Sequence, residues 1–281
     1  MTNDERRTDL GKALRALRVA SGKTGDAIAR RAAMSAAKLS KIENGRVLPS
    51  TQDIELILAA LDVSDDAKTE FVAAARLAAT EETAWREIRR IGQWKHQKAI
   101  QAIEERTTTL RLFQGQLIPG LLQTAEYASA VFALPPALPD DTRAKVIAAR
   151  LERQSVLYDL ERTFHFIICE HVLRWLICAP PIMAVQLDRL LSLSRLPNVR
   201  IDVVPLDRQM PDLPMTCFSL HDERLVVIET FHSEISTRDP RDIAMYLATH
   251  ERFADVALHD DETRRFLGAI RDEHFRGRES V

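Results

Sequence analysis

The chain has 281 residues, 46% of them hydrophobic and 28% charged, with a net charge of −2. That is enough apolar material for one large domain or two of ordinary size, and it excludes a disordered chain. No apolar run reaches the ~18 residues of a membrane span and the N-terminus lacks a secretory signal, so the expected location is the cytoplasm.

In chain order, "DLGKALRALRVA" (9–20) sets Leu10, Leu14 and Leu17 on one helical face, and Gly22 ends that helix. Thr24 is the expected N-cap of a second helix, and Asp26 in its first turn suits the helix dipole. Ser35 caps a short third helix, "AAKLSKIE", which closes at Gly45 in the left-handed conformation. A fourth helix follows Pro49, with Ile54, Ile57, Leu58 and Leu61 as its buried stripe, and a fifth follows Ser64.

Residues 80–106 are highly charged and expected to be helical, forming a connector. Beyond them the pattern changes. "TTTLRLFQ", "TFHFIICE", "VRIDVVPL", "CFSLHD" and "RLVVIET" are strand-like, the last two suited to a hairpin around "HDER". They alternate with amphipathic helical stretches, and two helices close the chain. The expected fold is therefore an N-terminal all-α five-helix domain (8–79), a helical connector (80–106), and a C-terminal α+β domain (107–281) with a small sheet and several helices.

Charge is uneven. Between Lys12 and Arg46 lie nine basic and two acidic residues, a local +7, so the remainder carries −9. A basic end on an acidic body points to a polyanion-binding module joined to something else. The second and third helices have the order and lengths of a helix-turn-helix, whose second helix offers its N-terminal residues to base edges in the major groove. Leu39 and Ile42 face the core. Ala36, Ala37, Ser40 and Lys41 face away, Ser35 caps, and Lys38 and Arg46 flank the helix where phosphates pass. Lys23, Thr24 and Asn44 complete the expected DNA-binding set.

The stretch "LGKALRALRVASGKTGDAIARRAAMSAAKLSKIENGRVLPSTQDIELILAALDV" resembles the Xre-type (λ/Cro-like) helix-turn-helix, most specifically in "SKIENG". The resemblance implies major-groove reading and a homodimer on a two-fold symmetric double-stranded operator. That family usually opens its second helix with a glutamine bonded to phosphate, where this chain has Gly25. Ala36 and Ala37 stand where long base-reading side chains are common, which leaves Lys41 as the polar base contact.

Behind this head, "LIPGLLQTAEYASAV" (117–131), "ARLERQSVL" (149–157), "ICEHVLRW" (168–175), "QLDRLLSLSRLPNVRIDVVPL" (186–206) and "VVIET" (226–230) resemble the partner domain of bacterial antitoxin-like regulators. This implies a transcription regulator whose C-terminal domain binds a small protein encoded nearby. The alternative is a small-molecule-sensing repressor with an apolar pocket in that domain.

Cys169, Cys178 and Cys217 are expected as buried thiols, since Cys169 and His171 have no second pair to complete a metal site. Glu170 and Glu229 each follow an apolar strand near a histidine. Strand-end carboxylates of this kind are expected to be salt-bridged caps rather than acid–base catalysts. No nucleophile elbow, phosphate loop or metalloprotease helix occurs, so no enzyme, cofactor or metal is expected. Tyr127 is expected as a core residue of a helix that follows the Pro-Gly turn of "IPGLLQT".

Overall fold

The computed structural model describes residues 3–276. The chain divides into two compact units, residues 3–82 with 235–243, and residues 83–234 with 244–276.

The first unit holds five helices: α1 (Asn3–Ala20), α2 (Gly25–Arg31), α3 (Ala36–Glu43), α4 (Thr51–Ala60) and α5 (Asp65–Ala79). Their starts are set locally. Thr24, Ser35 and Ser50 each accept a backbone N–H three residues on, and Asp53 returns the bond to Ser50 as a capping box. The apolar stripes meet in one core, where Leu14, Ile28, Leu39, Ile42, Ile54 and Leu58 are almost fully buried. Arg18 makes a paired bond to Glu43 at 2.6 and 2.8 Å, tying α1 to the end of α3. Gly11 permits the close approach, because a Cβ there would lie 2.5 Å from the Ile42 carbonyl oxygen.

The segment 235–243 returns to this unit. Arg241 reaches Glu55 at 2.5 Å, Thr51 donates to Asp239 at 3.4 Å, and the Arg238 N–H donates to the Ala79 carbonyl at 3.1 Å. This return segment explains a difference from the expected helical connector. Residues Thr80–Ala84 form strand β1, and Arg238 pairs with Glu81 across from it. Nothing local marks residues 80–84 as a strand; its pairing partner lies about 150 residues on. Helices α6 (Trp85–Ile91) and α7 (Gln93–Glu104) follow, broken at Gly92 with φ +109°. Both belong to the second unit.

The second unit has the expected α+β character. Strands β2 (Thr109–Gln114), β3 (Thr163–Cys169), β4 (Val199–Val204), β5 (Phe218–His221) and β6 (Leu225–Glu229) lie in the order β6–β5–β2–β3–β4. β2, β3 and β4 are parallel, with Leu110 beside Phe164 and Phe166 beside Ile201. Such strands are covered on both faces, which is why "FHFIIC" and "RIDVV" read as nearly continuous apolar runs. The expected hairpin is present as antiparallel β5–β6. The crossovers carry α8 (Ala125–Ala133) and α9 (Asp140–Arg153), then α10 (Glu170–Arg174) and α11 (Pro180–Leu193). A last strand, β7 (Ser233–Thr237), completes a mixed set of seven among the described residues, before α12 (Pro240–Val256) and α13 (Asp260–Arg276). β1, β7 and the short α10 go beyond the sequence pattern.

Candidate nucleic-acid interface

α2 and α3 are joined by a turn of four residues, 32–35. Helix α2 closes in a Schellman arrangement: the Met34 N–H donates to the Ala29 carbonyl at 3.0 Å and Ala33 takes φ +52°. α3 closes the same way, with the Arg46 N–H on the Lys41 carbonyl at 2.8 Å and Gly45 at φ +64°, as its sequence predicts. Both ends of α3 are thereby fixed.

The outer face of α3 is open. Ser35, Ala36, Ala37, Lys38, Ser40, Lys41, Asn44 and Arg46 are all exposed, as is Thr24. Local bonds already hold several of these side chains. Thr24 and Ser35 spend their hydroxyl oxygens on their helices' first N–H groups, and Asn44 donates back to the Ser40 carbonyl at 2.8 Å.

The cations fall into two groups. Lys23 is 2.6 Å from Asp62, which also holds Arg31, and Lys38 is 2.6 Å from Asp53 on α4. These lysines brace the domain. The Lys41 and Arg46 side chains have no hydrogen bond or ion pair among the described residues. The pairing of Lys23 and Lys38 spans 39 and 15 residues, and no local signal in the sequence announces it.

In the second unit, the strand-end carboxylates differ from one another. Glu170 is the expected cap: it is buried, lies 2.6 Å from Arg174 and accepts the Leu206 N–H at 2.8 Å. His171 is bonded to the Gly115 carbonyl at 2.6 Å. Glu229 departs from the expectation. It has no ion pair or hydrogen bond among the described residues and faces a cavity of about 740 Å³. Cys169, Cys178 and Cys217 are buried free thiols, and burial raises Cys169 to about 12 and Cys217 to about 11. Among the described residues, no cluster of His, Cys, Asp and Glu could hold a metal, and no helix is long and apolar enough to cross a membrane. Tyr127 is a core residue, its hydroxyl oxygen accepting the Ile118 N–H at 3.3 Å.

The cavity brings together two of the quoted sequence stretches. Gly120 of "IPGLLQT" has no side chain where a Cβ would meet Arg153 Nη2 at 3.3 Å and Arg150 Cζ at 3.6 Å. Arg150 donates to Gln123 at 2.7 Å and lies over the Phe132 ring at 4.5 Å. Arg153 donates to Gln97 at 2.9 Å and lies 3.1 Å from Glu104. Burial, then the neighbouring Arg153, brings Arg150 down to about 10. Burial also lifts Glu104 to about 7, against the pull of both arginines. Glu229 is solvent-accessible yet walled in by protein, because the space it meets is the cavity; that enclosure raises its carboxyl, and Glu234 raises it further.

The architecture defines the class: a helix-turn-helix domain, matched over residues 9–71 by the family model of that description, joined to an α+β domain. The chain belongs to the family described as "Domain of unknown function (DUF5753)", whose model matches residues 97–269. No curated protein matches it. Among solved structures, TrmBL2, described as an archaeal chromatin protein with a novel mode of DNA binding, is 11% identical with a TM-score of 0.33. That match covers 73% of this chain and 66% of TrmBL2, and at such a score it carries no argument about function.

Proposed function

We propose that the chain is a sequence-specific, DNA-binding transcription regulator with an Xre-type head in residues 8–79. The observation that carries this reading is the doubly capped α3, with an open outer face and two uncommitted cations, Lys41 and Arg46. In this reading α3 enters the major groove. Ala36 and Ala37 touch thymine methyls, Lys41 reaches a base edge, and Arg46 meets a phosphate. Two protomers on a two-fold operator would place their α3 helices about 34 Å apart. Residues 107–281 then act as the signal domain, antitoxin-like, receiving a small partner protein. The cavity beneath "IPGLLQT" favours a second reading, in which the signal is a small molecule; its lining is charged as well as apolar, where an apolar pocket is expected from the sequence.

Selection of bound sites from random duplex DNA tests the proposal. The expected result is an enriched palindromic site, with Lys41→Ala relaxing discrimination at one base pair by about 1–3 kcal/mol. Enrichment of no sequence above non-specific binding would overturn it, and an unchanged Lys41→Ala profile would remove Lys41 from the base-reading role.

A further inference from the structure

The cavity lies wholly in the second unit, built from α6, α7, β2, the "IPGLLQT" turn, α8, α9, β5, β6 and the start of β7. Its volume is that of a small-molecule site. Among the described residues, three arginines (Arg89, Arg150, Arg153) and three glutamates (Glu104, Glu229, Glu234) line it. Some of this charge is internally committed, as Arg153 is paired to Glu104; Glu234 lies 3.2 Å from His96, an ion pair only when that ring is protonated. Among the described residues Arg89, Arg150 and Glu229 are not committed. Arg89 is exposed and the Glu229 carboxylate has no partner, while Arg150 bonds only to neutral groups; Arg150 and Glu229 lie within each other's field. The site also has buried polar atoms without partners, Arg153 Nε and Glu104 Oε2, on side chains more than nine-tenths buried. Unpaired polar groups of this kind cost stability in a core and concentrate where a structure serves a ligand.

We propose that this cavity binds a small zwitterion of amino-acid or short-peptide type, its carboxylate on Arg150 and its ammonium on Glu229. A ligand of one sign suits the site poorly. An anion drawn to Arg150 meets Glu229 and Glu234, and a cation drawn to Glu229 meets Arg150 and Arg153. A molecule carrying both charges satisfies Arg150 and Glu229 together and leaves the balance of three and three intact. The remaining wall mixes apolar and neutral polar side chains, with Ile88, Ile100, Leu112 and Val131 available to an aliphatic or aromatic body. The geometry around Arg150 is prepared in advance: Gly120 leaves room, Gln123 fixes one amino group, and Phe132 carries the guanidinium plane.

This deepens the small-molecule reading of the signal domain, but the binding itself does not depend on DNA recognition. The test uses the full chain without DNA. Calorimetry and thermal melting are run with each standard amino acid and with aliphatic and aromatic dipeptides. Leucyl-phenylalanine, its N-acetyl form and its C-terminal amide serve as the reference series. The expected result is binding of at least one zwitterion, weakened roughly tenfold by blocking either terminus, since each block removes a charge-assisted bond. Glu229→Gln should abolish the penalty of acetylation, and Arg150→Gln that of amidation. If either variant fails to melt cooperatively, the blocked and free peptides on the unmodified protein decide alone. Equal binding of blocked and free forms would overturn the proposal, as would no binding across the whole series. Operator affinity measured on the same samples keeps a failure here distinct from failure of the DNA-binding reading.

Discussion

Lys41 and Lys38 sit three residues apart on one helix and have different tasks. Lys38 reaches α4, where Asp53 also closes the capping box, while the Lys41 side chain pairs with nothing among the described residues. Arg46, beyond the helix end, is equally uncommitted. Arg46→Ala should therefore weaken binding to all sequences alike and lower the salt slope by about 1, the signature of one lost phosphate contact. Lys38→Ala should act mainly on stability, costing less than ~1 kcal/mol for a half-exposed pair, with a smaller loss of DNA affinity. Titrations of both variants at several salt concentrations separate the two, and a larger DNA defect for Lys38→Ala would reverse the assignment. Gly25 offers a gain rather than a loss. A side chain there meets open space at the first turn of α2. Gly25→Gln should tighten operator binding by supplying the phosphate donor usual in the Xre-type heads that this one resembles, and should stabilise the first unit by less than ~1 kcal/mol through helix propensity. Unchanged DNA affinity in a stabilised variant would show that α2 does not approach the backbone at that point.

The two helices of the candidate interface end in the same motif with different residues at the left-handed position. At Ala33 the chain holds an alanine at φ +52°, and at Gly45 it holds the residue that suits φ +64°. The left-handed conformation costs a non-glycine residue about 1–2 kcal/mol, of which glycine's extra chain entropy takes back about half. Ala33→Gly should thus stabilise the first unit by roughly 0.5–1 kcal/mol. Gly45→Ala should destabilise it by more than that backbone cost, because a Cβ would also lie 2.9 Å from Thr8 Cα. Denaturant midpoints of the two variants against the parent check both signs. The Gly45 turn, the caps and the apolar stripes were legible in the sequence because they are local, whereas no glycine or asparagine marks the same turn at Ala33. A cap acts over three residues, a Schellman turn over five, and an apolar stripe repeats within one helix. Strand β1 was not legible, since its residues, "TEETA", gain their conformation from a return segment far along the chain. The short α10, wedged between Cys169 and Trp175, is likewise anchored by distant groups, as Glu170 receives the Leu206 N–H.

At the scale of the molecule, the candidate interface was readable while the cavity was not, for one physical reason. The interface is a continuous stretch whose face follows from helical periodicity. The cavity gathers residues from Trp85 to Glu234, and only the fold brings Gly120 against Arg150 or leaves Glu229 without a partner. The same assembly stores an acid sensitivity. Burial lowers His221 to about 4 and His250 to about 3, both from an ordinary 6.5. Between pH 6.5 and those values the unfolded chain binds two protons that the folded unit refuses, so acid favours unfolding. Glu104 acts in the opposite sense. Its folded carboxyl keeps its proton up to about 7 while the unfolded one releases it near 4.5, so its contribution grows as pH falls toward 4.5. Glu229, also raised, adds to the slope of Glu104, so two carboxyls oppose the two histidines between pH 6.5 and 4.5. Below 4.5 the carboxyl slopes end while those of the histidines continue, and stability falls until His221 itself takes up a proton. Guanidinium unfolding of the second unit should show its midpoint falling below pH 4.5. The imidazole proton resonances of His221 and His250 should titrate only near their lowered values. A midpoint that holds level below pH 4.5, or histidine signals that titrate near 6.5, would mean that water reaches these rings and that their burial is not maintained in solution.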